Sequence, residues 1–402
     1  MKIILFYYCL YIINTLSVNF HYIKEYVSIY FHLGKPPQYK PYLIDLSIPF
    51  LWTSAFYFNK DDSSSLTQIQ NVNYTLPDNP FLKFQNFTDE LTLNCNGQVN
   101  ITLLHFPFLF TYSLTHLYES IGLGLFTETT KQYSLIHRLY SSKIIQEELF
   151  AIDMPHNKLY FGTFPQVNKT TSLIYIGSCK SGGDDGEYTG WGCKVNGVSL
   201  YSNEYYFIAV DSNYVFFNIN TPYIFASQRY MEYLYKEVFG SMIKQNICKV
   251  VDDDYRNDKM LLCDNKVFQM NSAFMELVFT HTDNKNNDNT SQFKLFISYN
   301  ELFTLYDDNK YKLNIQLNKN NNSFIIGTPL FTNYISIFNY PNTSISFFST
   351  SLPTNHSPSP PHSTSIPLII LILKYLSLLL ILILLNNIYI YLLYIIQLPN
   401  LN

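Results

Sequence analysis

From Tyr22 to Thr350 the chain is a long succession of short apolar or alternating runs, separated by Asn, Asp, Gly, Pro and Ser. Alternation with a period of two, over four to eight residues, is the pattern of a half-buried strand, and the interrupting residues are those that make turns. Tyr26-Val-Ser-Ile-Tyr-Phe31, Leu159-Tyr-Phe161 and Ser323-Phe-Ile-Ile326 are examples. Helical periodicity is scarce. One short helix is expected from Ser134 to Leu139, with Ile144 and Ile145 beside it. A second is expected after Thr221, which can cap it, with Pro222 in its first turn and Met231, Leu234 and Val238 on one face. The abundance of Tyr, Phe and Ile points the same way, so the fold class expected is all-β with few short helices.

The ends of the chain differ from this body. Lys2 followed by the mostly apolar Ile3–Leu16 reads as a signal peptide over residues 1–17, cut near Ser17; the other reading is a buried first strand. Residues 351–367 are rich in Ser, Pro, Thr and His, cannot build a core, and read as an extended stalk. Residues 368–396 are apolar enough for a transmembrane helix, with Lys374, Tyr375 and Ser377 as exceptions in its first part, or for a cleaved lipid-anchor signal. Both alternatives tether the body to a plasma membrane or endomembrane, on its extracellular or lumenal side.

Cysteine usage fits such a compartment. Cys9 falls in the signal segment. Cys179 with Cys193, and Cys248 with Cys263, are two close pairs suited to short-loop disulfides. That leaves Cys95, either bonded to another chain or a buried free thiol. Glycosylation sequons begin at Asn73, Asn86, Asn100, Asn168, Asn289, Asn321, Asn342 and Asn355. A net charge of −4 and the lack of any Lys/Arg-rich block exclude nucleic acid as a partner. No haem, zinc or phosphate motif is present, so neither metal nor cofactor is expected.

One stretch goes further. Leu33-Gly-Lys-Pro-Pro-Gln38 is followed by Tyr42-Leu-Ile-Asp-Leu-Ser-Ile-Pro-Phe-Leu-Trp-Thr53. This resembles the opening of the pepsin-like aspartic proteases, where Gly-x-Pro-x-Gln precedes apolar-Asp-Thr-Gly-Ser-Ser-x-Leu-Trp. Gly34, Pro36, Gln38, Asp45, Leu51 and Trp52 hold matching positions. Gly122-Leu-Gly124, Phe324-Ile-Ile-Gly-Thr-Pro-Leu-Phe331 and Ile345-Ser-Phe-Phe348 resemble later landmarks in the same order. The resemblance implies a bilobal fold with a central cleft, one lobe over residues 22–176 and the other over 177–350. It also implies an extended peptide or protein segment as the partner held in that cleft.

The resemblance further implies two Asp residues, one per lobe, sharing a proton across the cleft. The first maps to Asp45. The second maps to Asp211 in Ala209-Val-Asp-Ser-Asn-Tyr214, because Thr221-Pro222 would then open the following helix at the expected distance of about ten residues. Asn218 is the rival for that position. The loop residues that brace the pair are Leu46 and Ser47 in the first lobe and Ser212 and Asn213 in the second. Leu46 has no hydroxyl to donate where the family does. Phe84-Gln-Asn-Phe87 is the candidate flap region, without the family's Tyr. Three functions follow: a membrane-anchored aspartic endopeptidase using Asp45 with Asp211, a catalytically inactive relative that keeps a peptide-binding cleft, or a structural or adhesive surface glycoprotein.

Overall fold

The computed structural model describes residues 16–349 apart from 24–25, 70–83, 96–98, 113–118, 164–172, 182–189, 202–205, 210–213, 254–257, 271–273, 281–291, 308 and 319–323. Strands dominate, as expected, and are arranged in four sheets.

The first sheet runs in the order β2 (His21–Ile23), β3 (Tyr26–Leu33), β4 (Gln38–Asp45), β9 (Ser120–Gly122), β5 (Trp52–Ser54), β8 (Val99–Thr111), β7 (Gln85–Cys95) and β6 (Thr67–Gln68). Alternation decides which faces are inside. In β3, Val27, Ile29, Phe31 and Leu33 are fully buried, while Tyr30 and His32 lie on the partly exposed face.

A second sheet repeats part of this plan in the other half of the chain. Its order is β20 (Gln292–Ser298), β19 (Phe274–Thr280), β13 (Gly192–Tyr201), β15 (Tyr214–Phe217), β24 (Phe324–Ile326), β16 (Ile224–Ala226) and β23 (Ile315–Leu317), with β14 (Tyr206–Ala209) also on β13. A smaller sheet beside it joins β17 (Cys248–Asp253), β18 (Asp258–Asp264), β22 (Lys310–Leu313) and β21 (Phe303–Asp307).

The remaining sheet draws on both halves. It runs β1 (Leu16–Asn19), β11 (Lys158–Phe161), β10 (Leu149–Asp153), β25 (Ile335–Asn339), β26 (Ser344–Ser349) and β12 (Ile174–Lys180). Phe150, Trp191, Phe338 and Tyr340 pack against one another here, with the Phe150 and Phe338 rings stacked at 4.6 Å. The Trp191 indole and the Tyr340 hydroxyl both donate to the Leu123 carbonyl, at 2.6 and 2.8 Å. Buried aromatic N–H and O–H groups need such partners.

Several sequence expectations change on this fold. β1 begins at Leu16 and pairs Leu16–Asn19 with Phe161–Lys158, with Leu16, Ser17 and Val18 buried. Residues 16 and 17 of the segment read as a signal peptide thus lie in this strand. Residues 1–15 lie outside the described residues, as do the stalk and the apolar run after it. Among the described residues no helix is long and apolar enough to cross a membrane.

Both expected disulfides form. Cys179 on β12 bonds Cys193 on β13, and Cys248 faces Cys263 directly across β17 and β18, with Cα atoms 4.0 Å apart. Two disulfides suit an oxidising, secretory compartment. Cys95 is a free, buried thiol whose pKa burial pushes up to about 12. Of the sequon residues, Asn100 and Asn342 are exposed. Asn86 is only 1% exposed and donates from Nδ2 to the Tyr133 hydroxyl at 2.5 Å, so the folded protein does not present it for glycosylation. Asn73, Asn168, Asn289, Asn321 and Asn355 lie outside the described residues.

Candidate functional site

Asp45 ends β4, where the strand runs parallel to β9 with Asp45 opposite Gly122. The chain then turns sharply. Leu123 N–H donates to the Asp45 carbonyl at 2.7 Å, and Gly124 N–H donates to the Ile48 carbonyl at 2.7 Å. A Cβ on Gly122 would come within 2.3 Å of the Ile48 carbonyl oxygen and 2.5 Å of the Phe50 nitrogen. Glycine is thus required by close approach, and it seats the loop beneath Asp45.

The same construction recurs around Asn218. β15 runs parallel to β24, and Asn218, directly after it, donates its N–H to the Ile326 carbonyl at 3.0 Å. A Cβ on Gly327 would lie 2.0 Å from the Thr221 carbonyl oxygen and 2.5 Å from that of Tyr223. Ile48 and Phe50 stand three and five residues after Asp45; Thr221 and Tyr223 stand three and five after Asn218. The turns match as well. Ser47 N–H donates to Asp45 Oδ1 at 2.8 Å, and Asn220 N–H donates to Asn218 Oδ1 at 2.9 Å. Each is a side chain accepting from the backbone two residues on, the Asx-turn arrangement. By position in the fold, Asn218 is the counterpart of Asp45.

The helix that pointed to Asp211 starts later than its local signals suggested. Thr221 and Pro222 do not open it. Ile224–Ala226 form β16, held between β23 and β24, and the helix Gln228–Tyr233 follows with Ser227 Oγ accepting from Tyr230 N–H. Gln228 comes ten residues after Asn218. Asp211, Ser212 and Asn213 lie outside the described residues.

The two loops are held together by the chain between them. Trp191 N–H donates to the Leu46 carbonyl at 3.2 Å, and the Trp191 carbonyl accepts from Phe217 N–H at 3.0 Å. Asn220 Nδ2 donates to the Ile44 carbonyl, one residue before Asp45. Leu46 and Ile219, each next after its loop's leading residue, are both buried in the main hydrophobic core. Where the resemblance leads one to expect hydroxyls bracing the loops, two apolar side chains and one amide contact do so. Ser47 and Asn220 stand where it expects glycine. Neither backbone enters the left-handed region, so neither position demands one.

Asp45 is half-buried. Ser47 Oγ donates to its Oδ1 at 2.5 Å, in addition to the backbone bond. Beyond the loop, Ile48, Phe50, Trp52, Phe84 and Leu109 form a small separate apolar cluster, with Tyr133 against it. Phe84 meets Trp52 edge-on at 6.0 Å. The candidate flap region Phe84–Phe87 leads into β7, which pairs with β6 through Thr67 with Thr88 and Gln68 with Phe87. Phe84, just before β7, is buried in this cluster.

Comparison with solved structures bears on the fold. The chain superposes on the aspartic proteinase from Irpex lacteus with a TM-score of 0.60 at 17% identity, covering 85% of this chain and 99% of that one. It superposes equally, with TM-scores of 0.60, on the basic 7S globulin from soybean, at 14% identity over 84% of this chain and 97% of that one. Conglutin gamma, a basic 7S globulin from lupine seeds, matches at 15% identity over 84% of this chain and 96% of that one, again at 0.60. This chain has the bilobal pepsin-like fold. No family model matches its sequence, and no curated protein matches it either. The pepsin-like fold is thus carried here by a sequence far from its structural neighbours, one of them named a proteinase and two named globulins.

Proposed function

We propose that this protein is a non-catalytic member of the pepsin-like fold that holds extended peptide segments in the cleft between its lobes, spanning residues 22–176 and 177–350. The observation that carries this reading is Asn218 in the place that matches Asp45. Aspartic peptidase chemistry needs two carboxylates that share a proton, so that one takes a proton from water while the other polarises the scissile carbonyl. An uncharged amide cannot accept that proton. Leu46 and Ile219 support the same reading, since they remove the hydroxyls through which the family braces its pair. Binding itself needs only the cleft and its strand edges, because an extended peptide adds backbone hydrogen bonds to a sheet. The stalk at 351–367 and the apolar run at 368–396 would tether the body to a membrane, facing the lumen or the exterior.

A second reading is an aspartic endopeptidase using Asp45 with Asp211. The intact, Ser47-bonded Asp45 favours it. One experiment separates the two: incubate the purified full chain with a mixed peptide library from pH 3 to 7, and measure retention of the same peptides on immobilised protein. Retention without cleavage is the expected result. Cleavage that stops in both Asp45→Ala and Asp211→Ala would overturn the proposal in favour of the peptidase. With neither cleavage nor retention, the fold would serve a structural surface role.

A further inference from the structure

Glu119 is an anomaly in the first lobe. It immediately precedes β9, the strand whose Gly122 seats the Asp45 loop, and its carbonyl accepts from Leu43 N–H of β4 at 2.9 Å. Its side chain is only 2% exposed. One carboxyl oxygen, Oε1, meets the Ser54 hydroxyl of β5. The other, Oε2, is buried without a hydrogen-bond partner among the described residues, and so is the neighbouring Ser120 hydroxyl.

The groups facing it do not neutralise a charge. From β4 come Tyr42, fully buried with its hydroxyl 3.3 Å from Thr53 Oγ1, and Lys40, an exposed cation that acts only weakly. Tyr57, in the turn after β5, edges against Tyr42 at 6.4 Å. A buried carboxylate with no ion pair and with one oxygen left without a partner is costly, whereas the neutral acid is less so.

We propose that Glu119 is a proton-dependent latch on the Asp45 loop: neutral, it lies buried between β4, β5 and β9; ionised, it is driven toward water and loosens the strand on which the loop is seated. The latch holds whether the cleft binds or cuts. Burial raises the pKa of Glu119 above the ordinary 4.5. The sign follows from proton linkage. Over the interval from the ordinary value up to the raised one, the folded chain holds more protons than the unfolded chain. Stability is therefore full at acid pH and declines as pH rises through that interval. Such a body is suited to an acidic lumen.

The test compares the full chain with Glu119→Gln, which keeps the shape and removes the titration. Melting temperature and amide hydrogen exchange, corrected for intrinsic rates, are followed from pH 4.5 to 7.5. For the unaltered chain we expect a falling melting temperature, together with lost protection in residues 42–45 and 120–124. In Glu119→Gln both changes should shrink or vanish. Glu301 is the control: it too is held above its ordinary value by burial, but it lies in the other half beside Ser298 and Asn333. Glu301→Gln should leave the loss of protection at 120–124 in place. A fall in Glu119→Gln equal to that of the unaltered chain would overturn the latch. Should Glu119→Gln not fold, Ser54→Ala serves instead. Removing the Ser54 hydroxyl's hydrogen bond to the carboxylate should steepen the decline, and an unchanged decline would equally overturn the proposal.

Discussion

Around Asp45 the sequence reads Asp45-Leu46-Ser47; around its counterpart it reads Asn218-Ile219-Asn220. The backbones agree down to the Asx turn and the glycine beneath. The side chains divide into two groups. At the middle position both loops carry a large apolar residue in the core. At the outer positions they differ in charge: a carboxylate and a hydroxyl in one lobe, two amides in the other. The shared features are those that build the loop, and the unshared ones are those that would do chemistry. The turn is thus kept in both lobes even where the side chains it presents differ.

The comparison can be broken or sharpened by paired substitutions, each read by denaturant unfolding. The largest effect is expected from Leu46→Ala and Ile219→Ala. Emptying two fully buried sites should cost about 3 kcal/mol each, and unequal losses would mean that only one loop is anchored by its apolar residue. Next come Gly122→Ala and Gly327→Ala, where a methyl group meets carbonyl oxygens at 2.3 and 2.0 Å. Overpacking against backbone should cost about 2–3 kcal/mol in both, and tolerance at either would show a loop free to shift. Asn220→Ala removes the contact with the Ile44 carbonyl and should cost about 1 kcal/mol. Ser47→Ala, at an exposed hydroxyl, should cost about 0.5 kcal/mol. Asp45→Asn and Asn218→Asp should change stability least, by about 0.5 kcal/mol or less. A large loss in Asp45→Asn would reveal a structural need for the charge that its counterpart lacks.

Much of the fold was legible in the sequence because period-two burial is a local signal. Tyr26–Phe31 lies within β3, Leu159–Phe161 within β11, and Phe324–Ile326 is β24. Gly122 and the two disulfide pairs were readable for the same reason: short spacings and special residue types. The second loop was harder. Thr221-Pro222 carries the local marks of a helix start, but Ile224–Ala226 gain two strand neighbours distant in the chain, and tertiary pairing outweighs the local preference. That shift puts Asn218 ten residues before the helix that follows. Asn86 shows the limit of motif reading, since a sequon records three residues and not the Tyr133 hydroxyl that closes over one of them. Glu119 left no sequence signal, because its burial depends on Ser54 and Tyr42, sixty or more residues away.

The sheet shared by both halves also bears on how the body meets force. β26, the last described strand, does not lie at an edge: β25 flanks it over Ser344–Phe348 and β12 over Ser344–Ser349, both with antiparallel ladders. A pull on the chain beyond Ser349, directed along that strand, loads both ladders at once in shear instead of peeling one bond after another. The closing strand of the body is thereby gripped on both sides, within a sheet to which both halves of the chain contribute.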